Sequence, residues 1–175
     1  MPLTPATSED IAVVSKQLGR PARDIVAIAA RCVCGKPIVV QTAPRLGDGT
    51  PFPTTYYLTH PGATAALSTL EASGLMAELQ AKLGEDATLA AAYLKAHEAY
   101  IADRAELEKV TGEVTEIAGI SAGGMPTRVK CLHALAGHAL AAGPGVNPIG
   151  DEALKLCSWS PERCACSVET DVTNR

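Results

Sequence analysis

One segment, residues 121–151, most constrains the fold, because it combines reactive side chains with clear boundaries. It reads SAGGMPTRVKCLHALAGHALAAGPGVNPIGD. Pro126 follows two glycines and suits a first helical turn, where its missing N–H leaves no bond unmade. Apolar residues then recur at helical spacing as far as Leu140. Gly143 and Pro144 end the pattern, since proline cannot continue a helix. The segment predicts one strong helix between two loops rich in glycine and proline.

The rest of the chain predicts a small sheet followed by helices. Residues 24–30, 38–42 and 54–59 are apolar or β-branched, so we predict three short strands, the first two joined as a hairpin. Apolar periodicity beyond residue 61 predicts helices, the longest over 87–107. The predicted class is α+β, a small antiparallel three-stranded sheet followed by a helical bundle.

The length of 175 residues fits a single domain, for which roughly 100–200 residues is usual. We predict an N-terminal arm and helix over residues 1–18, one α+β domain over 19–157, and a flexible, polar C-terminal tail over 158–175. Residues 103–116 are rich in acidic side chains and show little apolar face. They predict an exposed helix end and linker.

Charge and hydropathy exclude several classes of protein. A net charge of −4 and a pI near 5.5 argue against a nucleic-acid-binding protein, which normally presents a basic surface. The sequence contains no apolar run of about 18 residues, so no membrane span is expected. The N-terminus lacks the pattern of a signal peptide, and we expect a cytoplasmic protein. In that compartment, the six cysteines favour metal ligands or buried thiols over disulfides.

Four of these residues form the predicted metal site. Cys32 and Cys34 lie at the tip of the predicted hairpin, and His60 follows the third strand. Cys131 lies near the start of the strong helix, where the positive end of the helix dipole favours a thiolate. Together they make a tetrahedral Cys3His set that suits structural zinc.

Other assignments of the cysteines stay open. Cys164 and Cys166 repeat the C-x-C spacing, and with Cys32 and Cys34 they would make a site of four thiolates. Their polar, C-terminal setting ranks this set second. An iron–sulfur cluster would accept the same ligands, and a buried, unreactive thiol explains Cys131 equally well.

The other histidines fit a shared ion less well. His133 is two residues from Cys131, which on a helix places them on opposite sides. His138 shares a face with Cys131 but is about 10 Å away along the axis, at 1.5 Å per residue. We therefore expect neither histidine to join Cys131 on one ion.

A second predicted site would bind an anion. Gly123 and Gly124 present backbone N–H groups before the strong helix, with Arg128 and Lys130 close behind. Arg45 and Lys36 are further candidates if their loops fold over the same cleft. This cleft suits a small anionic ligand. The sequence contains no P-loop, no H-E-x-x-H and no G-x-S-x-G, so it does not decide whether the protein is an enzyme. A metal-assisted enzyme acting on a phosphorylated substrate is the alternative to a metal-stabilised binding protein.

The chain also resembles a family of actinobacterial conserved hypothetical proteins, the domain of unknown function five hundred and one. The matching blocks lie within residues 19–154 and are GRPARDIVAIAARCVCGKPIVVQTAPRLGDGTPFPTTYYLTHP, LEASGLMAELQ, AAAYLKAHEAY and ISAGGMPTRVKCLHALAGHALAAGPGVNPIGDEAL. Some members carry the label "septum formation initiator family". The resemblance implies a small bacterial cytoplasmic protein without established activity, and a partner in cell division or phosphate metabolism. It also implies that cysteine often replaces His60, an exchange that a metal ligand tolerates.

Overall fold

A four-stranded antiparallel sheet lies at the centre of the part that this computed structural model describes, residues 3–164 and residue 166. Its strands, adjacent in chain order, are β1 (Thr4–Pro5), β2 (Ile25–Arg31), β3 (Pro37–Thr42) and β4 (Tyr56–Leu58). The three predicted strands are confirmed as β2, β3 and β4. The fourth, β1, was not predicted, because a two-residue edge strand is too short to show a period.

Six α-helices within the described residues pack around this sheet, which confirms the α+β class. They are α1 (Ser8–Leu18), α2 (Pro61–Ala72), α3 (Leu75–Glu85), α4 (Ala87–Thr111), α5 (Leu132–Ala142) and α6 (Pro148–Leu156), with a 3₁₀ turn at Thr115–Ile117. In the described part of the chain, none of these helices has the length and apolarity needed to cross a bilayer.

Strand β3 is buried along its whole length because helices cover both faces of the sheet. On one face, Val14 of α1 packs against Ile28 and Val40. On the other face, Val39 belongs to the main core together with Leu135 of α5. The end of the β2–β3 hairpin that carries Cys32 and Cys34 is therefore attached to a core on both faces of the sheet.

The region 103–116 agrees with its prediction only in part. Helix α4 continues to Thr111, and Arg104 on it is only 2 % exposed. Its guanidinium donates hydrogen bonds to the carbonyl oxygens of Ile117 (2.8 Å) and Pro53 (3.3 Å). Most of residues 105–116 are exposed, as predicted, but the prediction is wrong for Arg104, Leu107 and Val114, which are buried. A buried arginine whose N–H groups are bonded to backbone carbonyls looks like a solvent-facing charge in sequence.

Helix α5 begins at Leu132, later than the prediction from Pro126. The preceding loop closes on itself, since the N–H groups of Arg128 and Lys130 donate to the carbonyls of Gly124 (2.9 Å) and Gly123 (2.8 Å). The Lys130 bond, and the bond from the Val129 N–H to Gln80 Oε1 (2.9 Å), take up N–H groups that a helical turn starting at Pro126 would need.

The segment after α6 returns to the core. Trp159 is 6 % exposed, and its ring centroid lies 5.3 Å from that of His60. The segment 158–175, predicted as a flexible tail, thus begins with a buried tryptophan that packs against His60. Residues 165 and 167–175 lie outside the described part of the chain, and the flexibility predicted for them stays a prediction.

Candidate metal centre

The hairpin loop between β2 and β3 presents two cysteines. The Cys32 N–H donates to the Lys36 carbonyl (2.9 Å), and the Gly35 N–H donates to the Cys32 carbonyl (2.8 Å). Gly35 has φ = 87°, a left-handed conformation that favours glycine. This tight turn buries Cys32 and leaves Cys34 exposed.

The base of the same loop is held by an ion pair. Arg31 donates to both carboxylate oxygens of Asp10 in α1, at 2.6 and 3.0 Å. These hydrogen bonds hold the pKa of Asp10 well below its usual range. The paired charges fasten the loop to α1, because a bidentate Arg–carboxylate contact restricts orientation as well as distance.

Two further cysteines reach the hairpin loop from the C-terminal segment. The sulfur atoms of Cys32, Cys34, Cys164 and Cys166 all lie within 4.8 Å of one another. Cys34 Sγ and Cys166 Sγ are 3.5 Å apart although 132 residues separate them in the chain, and all four are free thiols. The four-thiolate set that the sequence ranked second is the one that the fold brings together.

His60 adjoins this group through Cys166. Its Nε2 lies 3.2 Å from Cys166 Sγ, while its Nδ1 accepts the Ala63 N–H at the start of α2 (3.3 Å). An Nδ1 that accepts a hydrogen bond is unprotonated, so Nε2 carries the proton of the neutral ring. Burial lowers the pKa of His60 and keeps it neutral. Nε2 therefore donates towards the sulfur, and it has no lone pair for a metal.

The thiols differ in acidity. The Lys36 backbone N–H, as the main cause, lowers the pKa of Cys34 to about 7. Burial raises the pKa of Cys32 and that of Cys166. Without a metal, Cys34 is the readiest of these three to become a thiolate.

A cleft gives solvent access to the group. It has a volume of about 720 Å³ and lies between α1 and the hairpin loop, with Lys16, Gln17, Lys36, His60 and Cys166 among its lining residues. Small molecules, chelators included, can reach Cys166 through it.

Cys131 belongs to a second group, with Glu71 of α2 and His133 of α5. The structure thus does not join Cys131 to Cys32 and Cys34 as the sequence predicted. The expectation that His133 faces away from Cys131 is also wrong, because His133 Nδ1 lies 4.0 Å from Cys131 Sγ. Cys131 is the extended N-cap of α5 (φ −154°, ψ 109°), so helical angular spacing does not apply to it.

The electrostatics of this second group are set by close opposite charges. Glu71 Oε1 lies 3.1 Å from His133 Nδ1 and accepts the Leu132 N–H (2.6 Å). The pKa of His133 is raised to about 9, chiefly by the Cys131 thiol, and the pKa of Cys131 is lowered by His133. The carboxylate of Glu71 thus lies at the N-terminus of α5, in contact with both the Leu132 N–H and His133.

His138 lies apart from both groups, in the core. It is fully buried and stacks on Tyr56 with 5.8 Å between ring centroids. Asn147 Nδ2 lies 3.2 Å from His138 Nδ1, and burial lowers the pKa of His138 to about 4. This neutral ring serves packing.

The predicted anion-binding residues have internal partners at two places. Arg45 donates to both carboxylate oxygens of Glu116, at 2.7 and 2.8 Å. Glu71 takes the first backbone N–H of α5, and Arg128 and Lys130 are exposed beside the loop that contains Gly123 and Gly124. An anion arriving at Arg45 or at the start of α5 would have to displace a carboxylate.

Sequence reasoning missed Glu71 altogether. It lies 62 residues from His133 in the middle of a helical pattern, where a glutamate is usually a solvated surface residue. For Cys164 and Cys166 a signal existed, since their spacing repeats that of Cys32 and Cys34.

Comparison with known proteins identifies one family. The model of a family described as "Protein of unknown function (DUF501)" matches residues 28–155. No curated protein and no solved structure matches the chain. The matched region covers most of the chain and both the hairpin loop and the start of α5, and it ends before Cys164. The chain therefore belongs to the DUF501 family of proteins of unknown function.

Proposed function

We propose that this protein binds a structural zinc ion through Cys32, Cys34, Cys164 and Cys166, and that the ion fastens the C-terminal segment to the β2–β3 hairpin. The observation that supports it is the clustering of four free thiols within 4.8 Å of one another. They come from two distant segments with the same C-x-C spacing.

The distances suit a single tetrahedral ion. With Zn–S bonds of about 2.3 Å, tetrahedral geometry requires sulfur atoms about 3.8 Å apart. The observed 3.5 Å between Cys34 Sγ and Cys166 Sγ lies close to that requirement, and no pair of sulfur atoms in the set is more than 4.8 Å apart. Side-chain shifts of up to about 1 Å would complete the geometry.

Zinc fits better than an iron–sulfur cluster. A cluster distributes its thiolate ligands over two or more irons, so the sulfur atoms on different irons lie farther apart than those on one ion. Four sulfurs gathered this closely favour one ion with all four positions filled. A closed set of four thiolates is typical of structural zinc and leaves no position for a reacting water.

The surroundings support a negatively charged metal–thiolate group. Four thiolates outweigh the charge of one zinc ion, so N–H donors directed at the sulfurs are stabilising. The backbone N–H of Lys36 interacts with Cys34, and His60 Nε2 lies 3.2 Å from Cys166 Sγ. We assign His60 the role of a hydrogen-bond donor to the thiolate rather than that of a fourth ligand.

Cys166→Ser is expected to reduce the zinc content by one ion per chain, because serine is a poor zinc ligand and three thiolates leave the site open. Elemental analysis of protein purified without oxygen measures this loss. Cys157→Ser is the matched control, since Cys157 is half-buried and its thiol donates to the carbonyls of Leu154 and Trp159 outside the group. Equal zinc content in both variants would contradict the proposed ligand set.

His60→Asn is expected to retain zinc with an affinity about 10–100-fold lower, the usual cost of losing a hydrogen-bond partner of a metal ligand. Asparagine preserves the N-cap of α2, which His60 Nδ1 now provides, but it cannot reach Cys166. Competition with a coloured chelator measures the affinity. A complete loss of zinc would make His60 a ligand and contradict the donor role.

A further inference from the structure

The second group, Glu71, Cys131 and His133, joins three different donor atoms at the start of α5. His133 Nδ1 lies 3.1 Å from Glu71 Oε1 and 4.0 Å from Cys131 Sγ, and the ligand atoms all lie within 4.8 Å of one another. The Glu71 carboxylate is held in place because its Oε1 also accepts the Leu132 N–H (2.6 Å).

The other nitrogen of His133 determines what this group can bind. His133 Nε2 lies 3.1 Å from the Thr64 carbonyl oxygen, which can only accept, so Nε2 carries a proton. Nδ1 faces Glu71 Oε1 at 3.1 Å and Cys131 Sγ at 4.0 Å, so either a proton or a metal ion lies between Nδ1 and the carboxylate. A metal ion that replaced this proton would meet all three donor atoms at once. Metal-binding histidines commonly donate their second N–H to a carbonyl in this way.

We propose that Glu71, Cys131 and His133 bind a second zinc ion, with its fourth coordination position open to water or a small anion. Zinc bonds of about 2.0–2.1 Å to nitrogen and oxygen and about 2.3 Å to sulfur require N···O near 3.3 Å and N···S near 3.6 Å. The observed distances differ from these by a few tenths of an ångström. Mixed thiolate, imidazole and carboxylate donors suit zinc and exclude magnesium and calcium, which prefer oxygen alone.

This site differs from the four-cysteine group in coordination and does not depend on it. Three protein ligands are the usual number at zinc sites that bind a reacting water. The side chains of Glu71 and His133 are each 24 % exposed, so water reaches the open position. The second ion would thus provide a place where a ligand can bind directly to metal.

The test counts zinc ions per chain after loading with Zn²⁺ without oxygen and desalting. We expect two ions in the unmodified chain, one in Cys131→Ala and one in Cys166→Ser, with none in the double variant. Glu71→Gln is a second variant for the new site, because glutamine still accepts the Leu132 N–H and removes only the anionic ligand. Cys157→Ser should keep both ions. Circular dichroism melting checks that each variant is folded.

Cobalt provides an independent readout of the open position. In Cys166→Ser loaded with Co²⁺, thiolate-to-cobalt absorption is expected from Cys131, and adding Cys131→Ala should abolish it. Sodium azide should shift the remaining spectrum by binding the open position. An unmodified chain that holds one ion, with Cys131→Ala unchanged, would overturn the proposal and leave a proton between Nδ1 and Oε1. If Cys131→Ala lost zinc while Cys166→Ser kept as much zinc as the unmodified chain, the four-cysteine site would be contradicted instead.

Discussion

Removal of zinc from the four-cysteine group is expected to lower the melting temperature by roughly 8–16 °C and to shift the fluorescence of Trp159 to longer wavelength. An ion present at 1,000 times its Kd stabilises the folded state by about 4 kcal/mol, and for a protein of this size 1 kcal/mol corresponds to roughly 2–4 °C. Trp159, the single tryptophan of the sequence, is 6 % exposed and precedes Cys164 and Cys166 closely. Without the ion, the C-terminal segment that carries Trp159 would lose the metal bonds that attach Cys164 and Cys166 to the hairpin.

A chelator removes both proposed ions, so the effect must be assigned to the right one. Cys131→Ala keeps the four-cysteine ion, so chelation should still lower its melting temperature and should shift its fluorescence as in the unmodified chain. Cys166→Ser should show the fluorescence of the stripped protein before any chelator is added, and Cys157→Ser should not. Complete removal of zinc with an unchanged melting temperature and an unchanged Trp159 spectrum would contradict a structural role for the ion.

Gly150→Ala is expected to destabilise the protein by about 3 kcal/mol or more, the upper part of the range for overpacking a core. A Cβ on Gly150 would overlap the backbone carbonyl of Leu135 and lie 2.9 Å from the Cβ of Ala139, both in α5. Backbone atoms cannot rotate away as a long side chain can, so α5 and α6 must separate. Urea unfolding measures the loss, and the melting temperature should fall by roughly 6–12 °C.

Gly84→Ala is the matched control for this substitution. Gly84 is exposed within α3, and a Cβ there would meet no atom within 4 Å. Alanine at this position should raise stability by about 0.5–1 kcal/mol, because glycine in a helix costs more backbone entropy. If Gly150→Ala also proved neutral or stabilising, the close packing of α5 on α6 would be contradicted.

Much of the fold could be predicted because its signals are local. The strands β2, β3 and β4 follow from β-branched and apolar runs between turn residues, and Tyr93, Ala96 and Tyr100 of α4 are buried as their spacing predicts. The hairpin tip that carries Cys32 and Cys34 was predicted for the same reason. Neighbouring residues in the chain determine such features.

Local signals misled where tertiary contacts reverse them. Pro126, two residues after a pair of glycines, predicts a helix start. In the structure the Lys130 N–H donates to the Gly123 carbonyl within this loop, and α5 begins only at Leu132. Arg104 resembles a surface charge in sequence, yet it is buried, and its guanidinium donates to two backbone carbonyl oxygens. In both cases N–H donors are bonded to carbonyl oxygens that the folded chain brings near, and a short sequence pattern does not predict those contacts.

The sequence by itself determined the class of the fold, the hairpin and the presence of thiols and imidazoles suited to a metal. Only the tertiary structure decided how these ligands are grouped, placing Cys32 and Cys34 with Cys164 and Cys166, and Cys131 with Glu71 and His133. The physical reason is that coordination depends on distances between atoms, and these side chains are separated by up to 134 residues along the chain, from Cys32 to Cys166. Periodicity reports the face of a helix or strand on which a residue lies, whereas packing of the whole core determines which faces meet.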